Sequence, residues 1–254
     1  MIKEKILVVG FGGHAKSIID SILSQDTYDI AGYTDVTDKA DSKLKYLGDD
    51  SNFKSIYENL GVTKAVIGIG FLGKSTLRNK IYLKLKSIGY ELPCIIDPSA
   101  IVAKDAKIGE GSFVGKNATV NSNSVIGLCN IINTGAIVEH DNRIGDFSHI
   151  SVGSVLCGNV SVGNNSFIGA NSTVIQCVSV GNNVIVGASS VVLKSIQDNV
   201  TAYGVINNIN NALGGGIGFI YIIFLINLFL FNLNSILRLC LQRKVTRECT
   251  FYKL

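Results

Sequence analysis

Val102, Ile108, Val114, Val120, Ile126, Ile132, Val138, Ile144, Ile150, Leu156, Val162, Ile168, Val174, Val180, Val186 and Val192 follow one another at steps of six, and all sixteen are aliphatic. If Val, Ile and Leu filled about a third of positions at random, such a run would arise on the order of once in 10^7 trials. The flanking positions keep the same phase. Two residues before the aliphatic come the small side chains Ala100, Ala106, Ser112, Ala118, Ser124, Ala136, Ser148, Ser154, Ser166 and Ser172; one residue after it, Gly recurs at 109, 115, 127, 145, 163, 169, 181 and 187. Each hexad therefore reads as a short strand plus a turn, with glycine where a tight corner has no room for a Cβ. Three hexads close a triangular coil of about 18 residues, and stacked coils pair each strand with its equivalent one coil away. Sixteen hexads give about five coils. Period-2 strands of a sandwich would not hold a period of six over this length.

The residues before the repeat have another texture. Ile6-Leu7-Val8-Val9 is an apolar run suited to a buried parallel strand. Gly10-Phe11-Gly12-Gly13-His14 follows, and then Ala15 to Leu23 with helical apolar spacing. A strand, a glycine turn and a helix in that order present backbone N–H groups and a helix N-terminus to an anionic or polar ligand. Further strands are expected around Ile30-Ala31-Gly32-Tyr33, ending at Asp35, and over Ala65-Val66-Ile67-Gly68-Ile69, ending at Gly70, with a helix from about Thr76 to Ser87. Their ends should line one crevice. Leu92 to Pro98 reads as an extended crossing into the repeats, its two prolines excluding helix. The expected fold is an α/β Rossmann-like domain over 1–94, an all-β parallel β-helix over 95–204 and an apolar tail over 205–254.

Composition narrows the function. Charged residues are 17% of the 254, the net charge is +4, and the first 200 residues hold no basic cluster, so no nucleic-acid partner is expected. The six cysteines, at 94, 129, 157, 177, 240 and 249, show no CxxC or Cys/His ligand spacing, and the N-terminus lacks a signal-peptide pattern. These features suit reduced thiols in a cytoplasmic protein without a metal site.

Four motifs carry a family resemblance: Val9-Gly10-Phe11-Gly12-Gly13-His14-Ala15-Lys16; Ile67-Gly68-Ile69-Gly70 with Arg78 downstream; Ile96-Asp97-Pro98-Ser99-Ala100; and, most specific, Asn133-Thr134-Gly135-Ala136-Ile137-Val138-Glu139-His140-Asp141. From about Lys5 to about Gly204 the chain resembles the NeuD-type sialic acid O-acetyltransferases and their relatives, the N-acetyltransferases that modify 4-amino sugars on a nucleotide carrier. The resemblance implies left-handed winding, a homotrimer with active sites between neighbouring β-helices, acetyl-CoA along the coils and a sugar or nucleotide sugar on the N-terminal domain. By matching position it implies His140 as general base and Asp141 as the acid that raises its basicity. It also implies His149, Ala170 and Ala188 as acetyl-CoA contacts, and Gly12, Gly13, His14, Asp35 and Gly70 as sugar contacts.

The residues allow blander readings beside these. A sugar hydroxyl or amine must lose a proton as it attacks a thioester, which asks for a base with pKa near neutrality. Only His14, His140 and His149 are available. His140 lies between two acids, either of which could fix its tautomer, yet position alone favours an exposed corner histidine, and it is the resemblance that reverses this. His149 equally suits a structural role at a coil corner, and Ala170 and Ala188 equally suit repeat packing. Direct transfer in a ternary complex, with the oxyanion met by a backbone N–H, is expected rather than an acyl-enzyme. Two alternatives stand beside the enzyme: a non-catalytic β-helical scaffold, and a nicotinamide enzyme using the N-terminal turn, which lacks a second domain shaped for hydride transfer.

The chain leaves the family pattern after Ala202-Tyr203-Gly204. No charged residue occurs between Asp198 and Arg238, and residues of about 212–233 have the length and hydropathy of a transmembrane helix. Arg238, Arg243, Lys244 and Arg247 would hold the C-terminus in the cytoplasm, where acetyl-CoA also requires the catalytic body. One span cannot put both on one side. Two readings follow: a membrane-associated or re-entrant tail, or a frameshifted end.

Overall fold

The computed structural model describes residues 3–39, 43–73 and 76–207. In the N-terminal region β1 (Glu4–Val9) lies between β2 (Tyr28–Thr34) and β3 (Lys64–Ile67), all parallel. The helices are α1 (Gly13–Gln25), α2 (Phe53–Leu60) and α3 (Leu77–Ile88). The apolar run of β1 is continuous because both its faces are covered. Ile6 and Val8 pack with Ala15, Ile18 and Ile22 of α1, while Leu7 and Val9 pack with Phe53, Ile56, Ile81 and Leu85 of α2 and α3.

Two details differ from the sequence reading. β3 ends at Ile67, and Gly68 to Gly70 is already loop, because the chain passes close over the first turn: a Cβ on Gly68 would stand 2.7 Å from the Ala15 Cβ and 2.9 Å from the Gly10 carbonyl oxygen. α2 was not anticipated; it is short and follows a 3-10 turn, Asp50–Asn52, whose first N–H groups are capped by Asp49.

From Ile95 onward the chain forms a parallel β-solenoid of three sheets. Each strand is two residues long and pairs with its equivalent in the next coil, as Ile131 with His149 and Ile137 with Val155. The in-phase aliphatics from Val114 to Val192 point inward and form one buried column. Complete burial of such side chains contributes about 1.5–3 kcal/mol each.

The stack is longer than five coils, at about six. Ile95–Ile96 is already its first rung, and at the far end Ile185 pairs with Thr201 and Val191 with Val205, so the last coil is closed by fewer residues than three full hexads. This shortening destroys the period of six after Val192 while the ladder itself continues through Val205–Ile206, past Gly204.

Close approach of the next coil, and not corner conformation, requires the recurring glycines. None of the eight has positive φ. They sit where the next coil passes closest, and a Cβ on Gly169 would lie 2.5 Å from the Ala188 nitrogen and 2.6 Å from the Gly187 carbonyl carbon. The left-handed corner positions come two residues later in each hexad and are filled by Asn117, Asn123, Asp141, Asn159, Asn165, Asn171 and Asn183, among others. Asparagine and aspartate tolerate that conformation better than other non-glycine residues.

The three outer faces differ. Ile95, Phe113 and Ile131 on the first face are buried against Ile18, Ile22 and Phe71, so the N-terminal domain covers it. The second face presents Ile101, Thr119, Ile137, Val155, Thr173, Val191 and Val205, with no charge. The third presents Lys107, Val125, Arg143, Ser161 and Ser179.

Among the described residues Cys94, Cys129, Cys157 and Cys177 are free, no group of His, Cys, Asp and Glu could hold a metal ion, and no helix is long and apolar enough to cross a membrane. The apolar stretch of about 212–233, with Cys240, Cys249 and the basic residues from Arg238, lies outside the described residues.

The coil spacing gives a stability test. Gly169→Ala forces a methyl group against backbone that cannot withdraw, and should destabilise the protein by about 1–3 kcal/mol in denaturant unfolding. Unchanged stability would mean that the coils stand further apart than described.

Candidate active site

His140 and Asp141 occupy the corner between the second and third faces, after the strand Ile137–Val138 and before Arg143–Ile144. Asp141 takes the left-handed conformation that turns the chain there, with φ of 61°. Its Oδ2 accepts a hydrogen bond from His140 Nδ1 at 2.7 Å. Nδ1 therefore carries the proton, which leaves Nε2 as the basic nitrogen. Nε2 has no partner among the described residues, and the side chain is 58% exposed. The bond to Asp141 holds the imidazole above its ordinary pKa of 6.5. The bonds from His140 and Asn123 hold the Asp141 carboxyl below its own ordinary value. Gly158 stands one coil further on, where a Cβ would lie 2.7 Å from both Cε1 and Nε2 of His140. Its φ is not positive, so the ring and not the backbone requires glycine there. The Gly158 N–H has no partner among the described residues.

His149 is placed differently from a corner residue. It lies on the strand His149–Ile150 of the first face and is 6% exposed, beneath the loop that follows β3. Nδ1 donates to the Phe71 carbonyl at 2.6 Å, so Nε2 is left to accept from Asn133 Nδ2 at 3.0 Å. The ring packs edge-on to Phe167. Burial, with Arg78 nearby, brings its pKa down to about 4 despite the Phe71 bond. Arg78 is itself buried and donates from Nη2 to the Cys129 carbonyl at 2.7 Å, tying α3 to the coil.

The glycine turn, Asp35 and Gly70 come together at the C-terminal end of the three-stranded sheet. Asp35 Oδ2 accepts the Phe11 N–H at 2.8 Å, and a Cβ on Gly70 would lie 3.7 Å from the Cβ of His14. Gly12 and Gly13 are exposed, a Cβ on either would meet nothing within 4 Å, and the start of α1 carries no side-chain cap. Open space thus lies over uncapped helix N–H groups. His14 stacks edge-on to Phe113 of the coil, and burial followed by Arg78 brings its pKa down to about 3.

Ala170 and Ala188 stack one coil apart at the corner between the first and second faces. Neither N–H has a partner among the described residues. This is the opposite edge of the second face from His140, so one chain brings the turn, Asp35 and Gly70 together but not His140 with its own Ala170 and Ala188. Asn133, Asn123 and Gly158 were not assigned roles from sequence, since the groups they meet come from a neighbouring coil.

Two family models match: the PglD N-terminal domain over residues 5–85, and the bacterial transferase hexapeptide repeats over 143–176 and 159–194. PerB from Caulobacter crescentus, solved with CoA and GDP-perosamine, is 36% identical, with 79% of this chain and 94% of that chain covered and a TM-score of 0.74. The chain belongs to the hexapeptide-repeat acetyltransferases. A second member of this family, the acetyltransferase domain of PglB from Neisseria gonorrhoeae in complex with acetyl coenzyme A, is 31% identical over 80% of this chain and 97% of that chain, with a TM-score of 0.74. A GDP-perosamine N-acetyl transferase from Caulobacter crescentus with a histidine replaced by alanine is 34% identical over 79% and 93%, with a TM-score of 0.68. Sequence comparison with curated proteins returns no match.

The buried histidines of this acetyltransferase make its stability depend on pH. Their pKa values are depressed on folding, so their contribution is complete above pH 6.5 and is lost as pH falls toward the folded values of about 3 and about 4. The thermal midpoint should fall from pH 6.5 to pH 4.5, and His149→Gln, whose amide can still donate to Phe71, should flatten that fall. A slope identical to the parent's would exclude His149 as a source.

Proposed function

We propose that the protein transfers an acetyl group from acetyl-CoA to the amino group of a nucleotide-linked amino sugar, with His140 as general base. The observation that carries this reading is an exposed imidazole whose Nδ1 is held by a carboxylate while Nε2 is unpartnered. N-acetylation is favoured over O-acetylation of sialic acid by the relatives of 34–36% identity, one described with GDP-perosamine and one as a GDP-perosamine N-acetyl transferase.

In this mechanism His140 Nε2 takes the proton from the acceptor amine as nitrogen attacks the thioester carbonyl, and Asp141 stabilises the imidazolium so formed. The same proton then passes to the departing CoA sulfur. The free Gly158 N–H beside the ring is the candidate donor to the developing oxyanion. Ala170 and Ala188 suit the pantetheine arm, since small side chains leave two unpartnered N–H groups accessible. Residues 1–94 hold the sugar nucleotide in this reading: the first N–H groups of α1 meet a phosphate above Gly12 and Gly13, and His14, Asp35 and Gly70 line the sugar side. Residues 95–204 carry acetyl transfer.

The active form is proposed to be a homotrimer. Of the three outer faces, one is covered by the N-terminal domain and one bears Lys107 and Arg143, which leaves the uncharged second face for a neighbouring copy. Its two edges carry His140 and the Ala170/Ala188 row. A copy packed on it supplies from a second chain the row that a single chain holds away from His140.

Acceptor labelling, with the kinetics of variants at the base, forms the first of two sets of experiments on these readings. With labelled acetyl-CoA offered to sialic acid, CMP-sialic acid and UDP- or GDP-linked 4-amino sugars, label should enter an amino sugar. His140→Ala should lower kcat by about 10^2- to 10^4-fold with acetyl-CoA affinity retained. Because the base must be neutral, the acid limb of kcat should lie above pH 6.5, and Asp141→Asn should move it downward. Near-normal turnover in His140→Ala would remove it from the mechanism. In the second, Val155→Glu at the middle of the uncharged face should convert a trimer to monomers in analytical ultracentrifugation and abolish turnover. A fully active monomer would overturn the trimer proposal.

A further inference from the structure

We infer that Asn123 is a positioning residue for the general base, acting through Asp141 from the coil below. The inference rests on the reading of His140 as the base. Asn123 Nδ2 donates to Asp141 Oδ1 at 2.6 Å, while Asp141 Oδ2 accepts from His140 Nδ1 at 2.7 Å. The carboxylate is thus held at both oxygens. The terminal torsion of an aspartate is broad, so one anchor alone leaves the group free to turn away from the ring. The second anchor aims Oδ2 at Nδ1, and thereby directs Nε2 outward.

Asn123 is itself held. Its N–H donates to Asp105 Oδ2 at 3.1 Å, and its carbonyl accepts from Arg143 Nη1 at 2.6 Å. Asp105, Asn123 and Asp141 stand one coil apart in a single column of the corner. Asn123 and Asp141 share the left-handed conformation, with φ of 57° and 61°. The ordinary explanation of Asn123 is that conformation alone, as at Asn159 in the same column, whose amide reaches only the Cys177 sulfur at 3.6 Å. What separates Asn123 is its acceptor: among the described residues its amide alone binds a carboxylate that in turn binds a histidine ring, whereas Asn121 holds Glu139, which meets only the His140 backbone N–H. A neutral donor is also what the column demands there, because a third acid between Asp105 and Asp141 would stack three carboxylates. The other charged groups facing the pair are Glu139, held by Asn121 Nδ2 at 3.1 Å, and Arg143.

Glycine and aspartate both accept the left-handed corner, so two substitutions separate the amide from the backbone. Asn123→Gly should lower kcat about 10- to 100-fold while KM for acetyl-CoA and sugar, oligomeric state and unfolding midpoint stay at parental values. Asn123→Asp places a carboxyl against Asp141 Oδ1, and added negative charge near the imidazolium raises the His140 pKa. Its acid limb should therefore move to higher pH, with activity low at pH 7 and recovering on the alkaline side. His140→Ala is measured in parallel. If it is active, the base assignment fails and the inference with it. If His140→Ala is inactive but both Asn123 variants keep the parental kcat and acid limb, the inference alone is overturned. A kcat loss in Asn123→Gly that comes with raised KM or a lowered unfolding midpoint also overturns it, in favour of a structural corner.

Discussion

Hydrogen bonds between one coil and the next hold every other feature in place. Ile131 donates to Ser148, Asn133 to Ile150, Ile137 to Ser154 and Glu139 to Leu156, all at 2.8–3.0 Å, and the same pattern repeats along the stack. Inside, the aliphatic column excludes water and makes these bonds obligatory, since an unpaired buried amide costs about 1–3 kcal/mol. Small serines tighten the column: Ser112, Ser148, Ser154, Ser166 and Ser172 donate to carbonyls of the following coil and leave no hydroxyl stranded. A side chain at any corner therefore has its upper and lower neighbours set by the ladder. The surroundings of His140, with Asn123 below through Asp141 and Gly158 above, follow from that geometry.

The same ladder gives each face one task. The first face joins the N-terminal domain through apolar contact at Phe113 and Ile131, and through polar ties that set orientation: Arg78 to Cys129, His149 to Phe71, Ser21 to Asp97 and Tyr82 to Glu110. Buried polar ties of this kind add little net stability but penalise displaced arrangements. They fix the N-terminal domain, and with it the glycine turn, against the coil.

Environment divides the three histidines by function. Burial takes His14 to about 3 and His149 to about 4, so both remain neutral at physiological pH, with the His149 Nδ1 proton committed to the Phe71 bond and His14 Nε2 buried without a partner. His140 alone is exposed and shifted upward, by Asp141. Its pKa is moved toward the range where a proton can be both accepted and released during turnover. In the proposed mechanism one base handles one proton and no covalent acyl-enzyme is required.

Local pattern determined the solenoid, because each aliphatic repeats its environment every six residues and the core needs no partner distant in sequence beyond one coil. The strand, glycine turn and helix at the N-terminus were legible for the same reason; the Glu139-His140-Asp141 run was legible through the family resemblance, and the imidazole–carboxylate bond in it joins adjacent residues. The far end of the stack was not legible: Ile185 with Thr201 and Val191 with Val205 pair out of period, and only the ladder shows that they pair. The role of the recurring glycines required the neighbouring coil, since their φ values are ordinary and their constraint is the backbone stacked directly beyond them. The asparagines at the left-handed corners were visible in the sequence at 117, 123, 159, 165, 171 and 183, but their meaning is conformational and carries no apolar period. α2 had a stop signal in Gly61, which ends it in the left-handed conformation, yet the helix is too short for periodicity to register. The burial of His149 depended on the loop at Phe71, far away in the chain, and the sequence around His149 contains nothing of it. Composition and period thus determined the coil, and the family resemblance singled out the His140 corner; tertiary packing decided which histidines stay neutral and which face remains open, because those depend on elements that meet only after folding.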